Sequence, residues 1–382
     1  MVLSASRTAD ESFVGLARRL GERFAPRVAE HDRDNSFVAE NYAELKEAGY
    51  TALPIPELLG GLGASLRQVV CAQAELGRHC AATALAISMH LHPVATNVWR
   101  WHRGAPGAEE ILRRIAADRL VVGSSGASDF THPTGTAVAV EGGFRVTGRK
   151  AFCSQAPVID LLSTAAVLEN PGDGPEVVGM LAPARGDGFR VLDTWDTLGM
   201  RATASHDVEL AGVFVPDSMV LGRRPLGKLD PSLRAAYIHG LPILSAPYWG
   251  IAAAARDEAL HCAAARGQVE EPGVQRLTGT MNLFLRRSWW ALMGALDELP
   301  QGFEPTPERL VAVAAAKHEV TTAAIEVVDT AMEVVGGVSF YRRSPLERAY
   351  RDVRAGKYHP FTPEVALRYA GRVSLGLPGD VV

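Results

Sequence analysis

Cysteine is scarce in this 382-residue chain: Cys71, Cys80, Cys153 and Cys262 are the whole set, and none stands at metal-ligand spacing. That argues against a disulfide scaffold or a zinc site and fits reduced thiols in a cytoplasmic protein. Long apolar runs are also missing. Charges break every stretch before the roughly 18–20 residues that a membrane span needs, so no membrane association is expected. The opening MVLSASRTADESF has no basic start followed by an apolar run, which argues against a secretory signal. No basic stripe appears, and Lys plus Arg (39) fall short of Asp plus Glu (43), a net charge of −4. A nucleic-acid partner therefore has no support. What remains is 47% hydrophobic and 21% charged, an ordinary globular composition long enough for two or three domains.

Hydrophobic period divides the chain into three. Residues 8–32 repeat apolar positions at steps of three and four, through Phe13, Leu16, Leu20, Phe24 and Val28. Further helices are expected over 37–47, from an N-cap at Ser65 through Leu76, over 81–94 and over 108–117. The Pro- and Gly-rich TALPIPELLGGLGAS between them reads as a loop. From Leu120 to Leu221 the pattern changes to short β-branched runs (TAVAV, FRVTG, LLSTAAVL, EVVGML, HDVELAGVFVP) broken by Gly, Asp and Pro, the mark of an antiparallel β domain. Gly142-Gly143 reads as its first hairpin turn. Helical period returns from about Asp230, with one helix running through 241–265 and others over 274–299 and 307–335. The expected domains are therefore 1–117 helical, 118–223 β and 224–382 helical.

One stretch is more specific. A helical run ends at Gly336-Gly337, and after Pro345 come Glu347, Arg348, Tyr350, Arg351, Asp352 and Arg354, closing on Tyr358-His359-Pro360. In order and spacing this resembles the C-terminal signature of the acyl-CoA dehydrogenase superfamily of flavoproteins. Leu59-Gly60-Gly61-Leu62-Gly63, the 82–90 segment ATALAISMH, Gly148-Arg149-Lys150, Leu198-Gly199-Met200-Arg201 and the 250–260 segment GIAAAARDEAL resemble further motifs of that superfamily, so the likeness covers nearly the whole chain. It implies an α+β fold of N-terminal helices, a middle antiparallel β-barrel and a C-terminal four-helix bundle. It also implies a flavin, FAD with FMN as the alternative, and a homotetramer or homodimer that completes the flavin site.

Carried over residue by residue, the likeness puts Ser128, Asp129, Phe152, Cys153 and Ser154 on the flavin, with Ser154 nearest N5. Arg266 and Gln275 take the place of its diphosphate-binding residues, beside Gly336 and Gly337. His90, Arg201 and Tyr248 fall to substrate. Two departures bear on the reaction. Pro360 stands where the dehydrogenases carry their catalytic glutamate, and Glu364 is the acid nearby. The diphosphate segment Arg266–Pro272 is short and lacks Phe-Gly. Arg351-Asp352-Val353-Arg354 followed by His359, together with Ser154, resembles instead the flavin monooxygenases of this fold, in which such residues hydrogen-bond a C4a-hydroperoxide. The first expectation is α,β-dehydrogenation of an acyl thioester with hydride transfer to N5 and an electron-transfer flavoprotein as acceptor. The alternative is a monooxygenase fed by a flavin reductase, with His359 and Ser154 catalytic. A non-catalytic scaffold is the third. No metal is expected.

Overall fold

The computed structural model describes residues 11–168 and 174–381; the first residues of the helix expected over 8–32 lie outside this range. That helix is two, α1 (Glu11–Phe24) and α2 (Val28–Asp34), and Asn35 ends the second in a left-handed conformation. The apolar stripe Val14, Ala17, Leu20 and Phe24 is buried, as its spacing requires. There follow α3 (Ala39–Glu47), α4 (Leu66–His79), α5 (Ala81–His102) and α6 (Ala108–Asp118). Ser65 caps α4 and forms a capping box with Gln68. Helix α5 runs eight residues beyond the expected stop at Val94. Pro93 removes one donor, but both faces of the helix are buried, and tertiary burial outweighs one lost hydrogen bond.

The middle segment forms one eight-stranded sheet: β1 (Val122–Ser124), then the short helix α7 (Ser128–Thr131), then β2 (Thr136–Val140), β3 (Gly143–Cys153), β4 (Leu161–Leu168), β5 (Glu176–Pro183), β6 (Phe189–Val191), β7 (His206–Pro216) and β8 (Val220–Pro225). Its order is β6-β7-β3-β2-β4-β5-β8, with β1 beside β4. Pairing is antiparallel except that β1 and β2 run parallel to β4. The first hairpin turns at Glu141-Gly142, one residue earlier than expected: Gly143 already pairs with Val140, and Gly142 takes the positive φ of 72°.

The C-terminal helices are α8 (Pro231–Ala265), α9 (Pro272–Asp297), α10 (Pro307–Val335), α11 (Pro345–Val353) and α12 (Pro363–Ser374). Helix α8 begins where helical period is expected to return, because Asp230 caps it through Ser232 and Leu233 and Pro231 sits at its first turn. Helices α8, α9, α10 and α12 pack as the bundle, and α4 lies along α8. The two backbones meet at glycines. A Cβ on Gly250 would lie 2.2 Å from the Ala74 carbonyl oxygen, and one on Gly77 would lie 2.7 Å from Pro247 Cα. This crossing joins the N-terminal helices to the bundle in one continuous core. Among the described residues no helix is long and apolar enough to cross a membrane.

Gly250→Ala should therefore destabilise the protein by about 2–3 kcal/mol, because backbone on both sides prevents relief of the clash. Chemical denaturation reads this directly. A change within ~0.5 kcal/mol of wild type would show that the crossing has slack.

Candidate active site at the junction of the three units

A cavity of about 810 Å³ lies where α5, the sheet loops, the start of α8 and the 351–365 segment meet. The chain is brought together there by Arg351 and Asp352. Arg351 donates to both oxygens of Asp32 (2.9 and 2.6 Å), to Glu347 (2.8 and 2.9 Å) and to the Leu198 carbonyl (3.1 Å). Asp352 accepts the Met200 N–H at 2.6 Å. Burial pushes the Asp352 carboxyl up to about 6, against the pull of that bond. Gly199 is required between them, since a Cβ there would stand 2.5 Å from the Arg351 carbonyl oxygen. The 198–205 loop is thus pinned by the signature helix, which is what the residues of that motif do here.

The pinned loop carries a chain of hydroxyls. Thr203 Oγ1 donates to the Met200 carbonyl at 2.9 Å. Thr203 and Ser205 are 2.7 Å apart, and Ser205 and Ser154 are 2.8 Å apart. Because Thr203 spends its proton on Met200, Ser205 donates to Thr203 and Ser154 donates to Ser205. Ser154 then turns lone pairs, acceptors only, toward the cavity. Beside it, Phe152 stands 65% exposed at a φ of 57° and meets Trp195 edge-on, ring centroids 6.3 Å apart. A flat aromatic face, an acceptor hydroxyl at Ser154 and the Ser124–Ser128 loop on one wall suit an isoalloxazine ring, so the residues present fit a flavin.

On the opposite side stands His359. Its Nε2 lies 2.6 Å from the Tyr248 hydroxyl. Tyr248 is fully buried, and burial raises its hydroxyl well above the usual range, so it stays protonated. The arrangement that satisfies both groups has the phenol donating to Nε2, which leaves the imidazole proton on Nδ1. His359 lines the cavity and is half-buried. Burial, and then the Lys317 charge, lower it to about 3. Lys317 is itself fully buried, donates to the carbonyls of Phe361 (3.1 Å) and His359 (3.5 Å), and is lowered to about 8 by burial. It holds the 359–361 turn, in which Phe361 adopts a φ of 54°.

The expected site residues divide. Ser128, Phe152, Ser154 and His359 line the cavity, and Tyr248 supports His359. The others do not line it. Asp129 is occupied by Lys150 (2.7 Å), Ser125 (2.8 Å) and Thr164 (2.9 Å), a buried ion pair that shapes the 124–128 loop from behind. Cys153 is buried against the Lys150 carbonyl. His90 bridges the Thr51 carbonyl and the Val122 N–H. Arg201 binds the Asp32 and Thr197 carbonyls. Glu364 is exposed on the first turn of α12. Arg266, bonded to the Val335 carbonyl, lies with Gln275, Gly336 and Gly337 at the far end of the bundle. About 29 residues of α8 separate Arg266 from the cavity-lining Tyr237, roughly 40 Å of helix, beyond reach of a flavin held in this chain's own cavity. Trp195 and Lys317 were missed, because a lone loop aromatic and a lone lysine carry no period, while Thr203 and Ser205 follow on the Leu198–Arg201 motif within the same resemblance but were given no role. Among the described residues one acid lines the cavity, Asp230, and both its oxygens serve the α8 cap. Among the described residues no metal-binding cluster occurs.

The chain matches the acyl-CoA dehydrogenase N-terminal domain over residues 9–105, the middle domain over 123–213 and the C-terminal domain over 242–364. A putative acyl-CoA dehydrogenase of Bacillus subtilis is 34% identical, with 90% of this chain and 91% of that protein covered. An amino sugar nitrososynthase of Streptomyces peucetius is 30% identical over 93% and 92%. The crystal structure of KijD3 in complex with FMN and dTDP-3-amino-2,3,6-trideoxy-4-keto-3-methyl-D-glucose superposes with a TM-score of 0.86 at 27% identity, covering 97% of this chain and 95% of that one.

Buried neutral histidines set a pH dependence. His90 and His239 are lowered to about 4, and His92 and His359 to about 3, each chiefly by burial. The unfolded chain takes up these protons near 6.5, so stability is present above that pH and falls as pH drops toward 4. Asp352 acts in the opposite direction between about 6 and its ordinary 3.8, but it is one group against four. The thermal midpoint should therefore fall steadily below about pH 6.5. A midpoint that is flat or rising down to pH 5 would refute burial of these rings in neutral form.

Proposed function

The chain belongs to the acyl-CoA dehydrogenase family, and from that premise we propose that it is a reduced-flavin-dependent monooxygenase that oxidises a heteroatom, an amine nitrogen first, of a small polar substrate. The observation that carries this reading is the composition of the cavity wall. Removing an α-proton from a thioester needs a carboxylate whose lone pair faces the substrate. The single lining acid, Asp230, is committed to a helix cap, and Glu364 points into solvent. His359 occupies the cavity instead. The nitrososynthase relative and the amino sugar bound in KijD3 support the same direction. The name of the Bacillus relative supports dehydrogenation, the reading for which the wall offers no base.

The cofactor is flavin, and FMN is the form this reading favours, since the 266–272 segment is short and lacks Phe-Gly and the KijD3 structure holds FMN. When bound and reduced by a separate reductase, flavin supplies the two electrons with which O2 gives one oxygen atom to substrate and one to water. The chain's residues then bind, orient and exclude water. Ser154, anchored through Ser205 and Thr203, accepts a hydrogen bond at one fixed point, which suits an N–H donor. His359 is neutral at pH 7, so it acts by donating its Nδ1–H as a hydrogen bond and not as an imidazolium acid. Tyr248 fixes that tautomer and Lys317 the turn. Phe361, packed edge-on against Tyr237 at 5.3 Å, and Trp195 exclude water from two sides.

His359→Ala should lower oxygen-atom transfer to an amine panel, read by 18O incorporation, by about 100-fold or more. Flavin affinity should be unchanged, and the consumed O2 should appear as hydrogen peroxide. Tyr248→Phe should have a smaller effect in the same direction. Undiminished 18O incorporation in His359→Ala would remove the reading. So would anaerobic bleaching of the oxidised flavin by acyl-CoA thioesters, because that requires a base the reading denies.

A further inference from the structure

We infer that the cavity wall formed by α5, β8 and the start of α8 is a subsite for a phosphoryl group of the substrate, gripped by Arg100 and Arg224. This rests on the assignment of the cavity as the reaction site and specifies what enters it. Both guanidinium groups line the cavity and are largely withdrawn from water, and among the described residues neither has a carboxylate within ion-pair distance. Each donates to one backbone carbonyl: Arg100 Nη1 to Leu221 at 2.6 Å, and Arg224 Nη2 to Phe130. Each leaves its buried Nε without a partner. Burial lowers both from their ordinary value, the sign of a cation short of compensation.

The other cations of the cavity are accounted for. Arg351 is paired with Asp32 and Glu347, Arg354 with Asp329, and Arg223 is exposed and lies over the Phe144 ring at 5.4 Å. Asp230 and Asp129 are the carboxylates whose charge Arg224 senses, yet Asp230 is spent on the α8 cap and Asp129 on Lys150. The neighbouring turns of α5 repeat the pattern. His92 Nδ1 and Asn97 Oδ1 are buried without partners, and both residues line the cavity. Buried polar atoms of a native protein are nearly always satisfied, and the two guanidinium Nε donors left over on one wall mark a place completed by an acceptor, while Asn97 Oδ1 asks for a donor beside it. Two uncompensated guanidinium forks match a dianion with several acceptor oxygens, which is phosphoryl chemistry. An acyl chain laid along this wall would leave both guanidinium groups unmet.

The test is calorimetric titration of the full-length, flavin-loaded protein with inorganic pyrophosphate, and with succinate as a dicarboxylate probe. Pyrophosphate should bind, more weakly as salt rises, and Arg100→Gln and Arg224→Gln should each raise its Kd at least about tenfold. Arg149→Gln, on the exposed face of β3, should leave it unchanged. Flavin binding and the thermal midpoint report whether each variant is folded. If a glutamine variant does not fold, Arg100→Lys and Arg224→Lys keep the charge, lose the fork and should still weaken binding several-fold. Absence of pyrophosphate binding, or binding indifferent to both arginines, overturns the inference. Succinate bound as tightly through the same arginines overturns its phosphoryl part. The titration needs neither reductant nor O2. Loss of the anion site with oxygenation intact therefore condemns this inference alone, and failed oxygenation with the site intact condemns only the reading of the reaction.

Discussion

The contact on which the site depends is the grip of Arg351 and Asp352 on residues from all three parts of the chain. Arg351 reaches back to Asp32 on α2 and across to the Leu198 carbonyl, while its neighbour takes the Met200 N–H. A guanidinium this deep costs several kcal/mol to desolvate, and two carboxylates with bidentate geometry are what offset that cost. The pair does no chemistry itself. It fixes the 198–205 loop, whose left-handed Met200 and Ala204 turn Thr203 and Ser205 toward Ser154. Severing it frees the hydroxyl chain and one wall of the cavity together.

Seen this way, the signature in the sequence was legible for a structural reason. Glu347, Arg351 and Asp352 are charged residues on a short helix that cannot face solvent, and Gly199 is a glycine because backbone passes 2.5 Å away. Such constraints leave a mark at fixed spacing. The three-part order of the chain was legible from period, and so were the Ser65 cap and the first hairpin. The full length of α5 was not, because Pro93 argues locally against a helix that burial demands globally.

The site itself was half legible. His359 and Ser154 carry the resemblance and both stand in the cavity, but the same likeness pointed to Asp129, His90 and Arg201, which hold the scaffold. Residue type cannot separate these roles. Asp129 with a lysine behind it and a catalytic Asp look alike in a string, and only the count of satisfied oxygens distinguishes them. Lys317 shows the converse: nothing in its surroundings along α10 marks it, yet it sets the backbone that presents His359.

Charge gives the last step. A dehydrogenase site must keep one carboxylate free and slightly desolvated, whereas this wall spends every acid it has and leaves cations unspent. A neutral imidazole in such a wall has no carboxylate to hold it protonated, and the nearby Lys317 charge pushes it further toward the neutral form. Proton abstraction from carbon and hydrogen-bond donation to oxygen ask for opposite surroundings. Burial first, and the Lys317 charge second, keep His359 neutral, while the unpaired Arg100 and Arg224 favour a substrate that brings its own negative charge. Electrostatics thus ties the kind of reaction to the kind of substrate, and neither follows from the fold, which serves both chemistries.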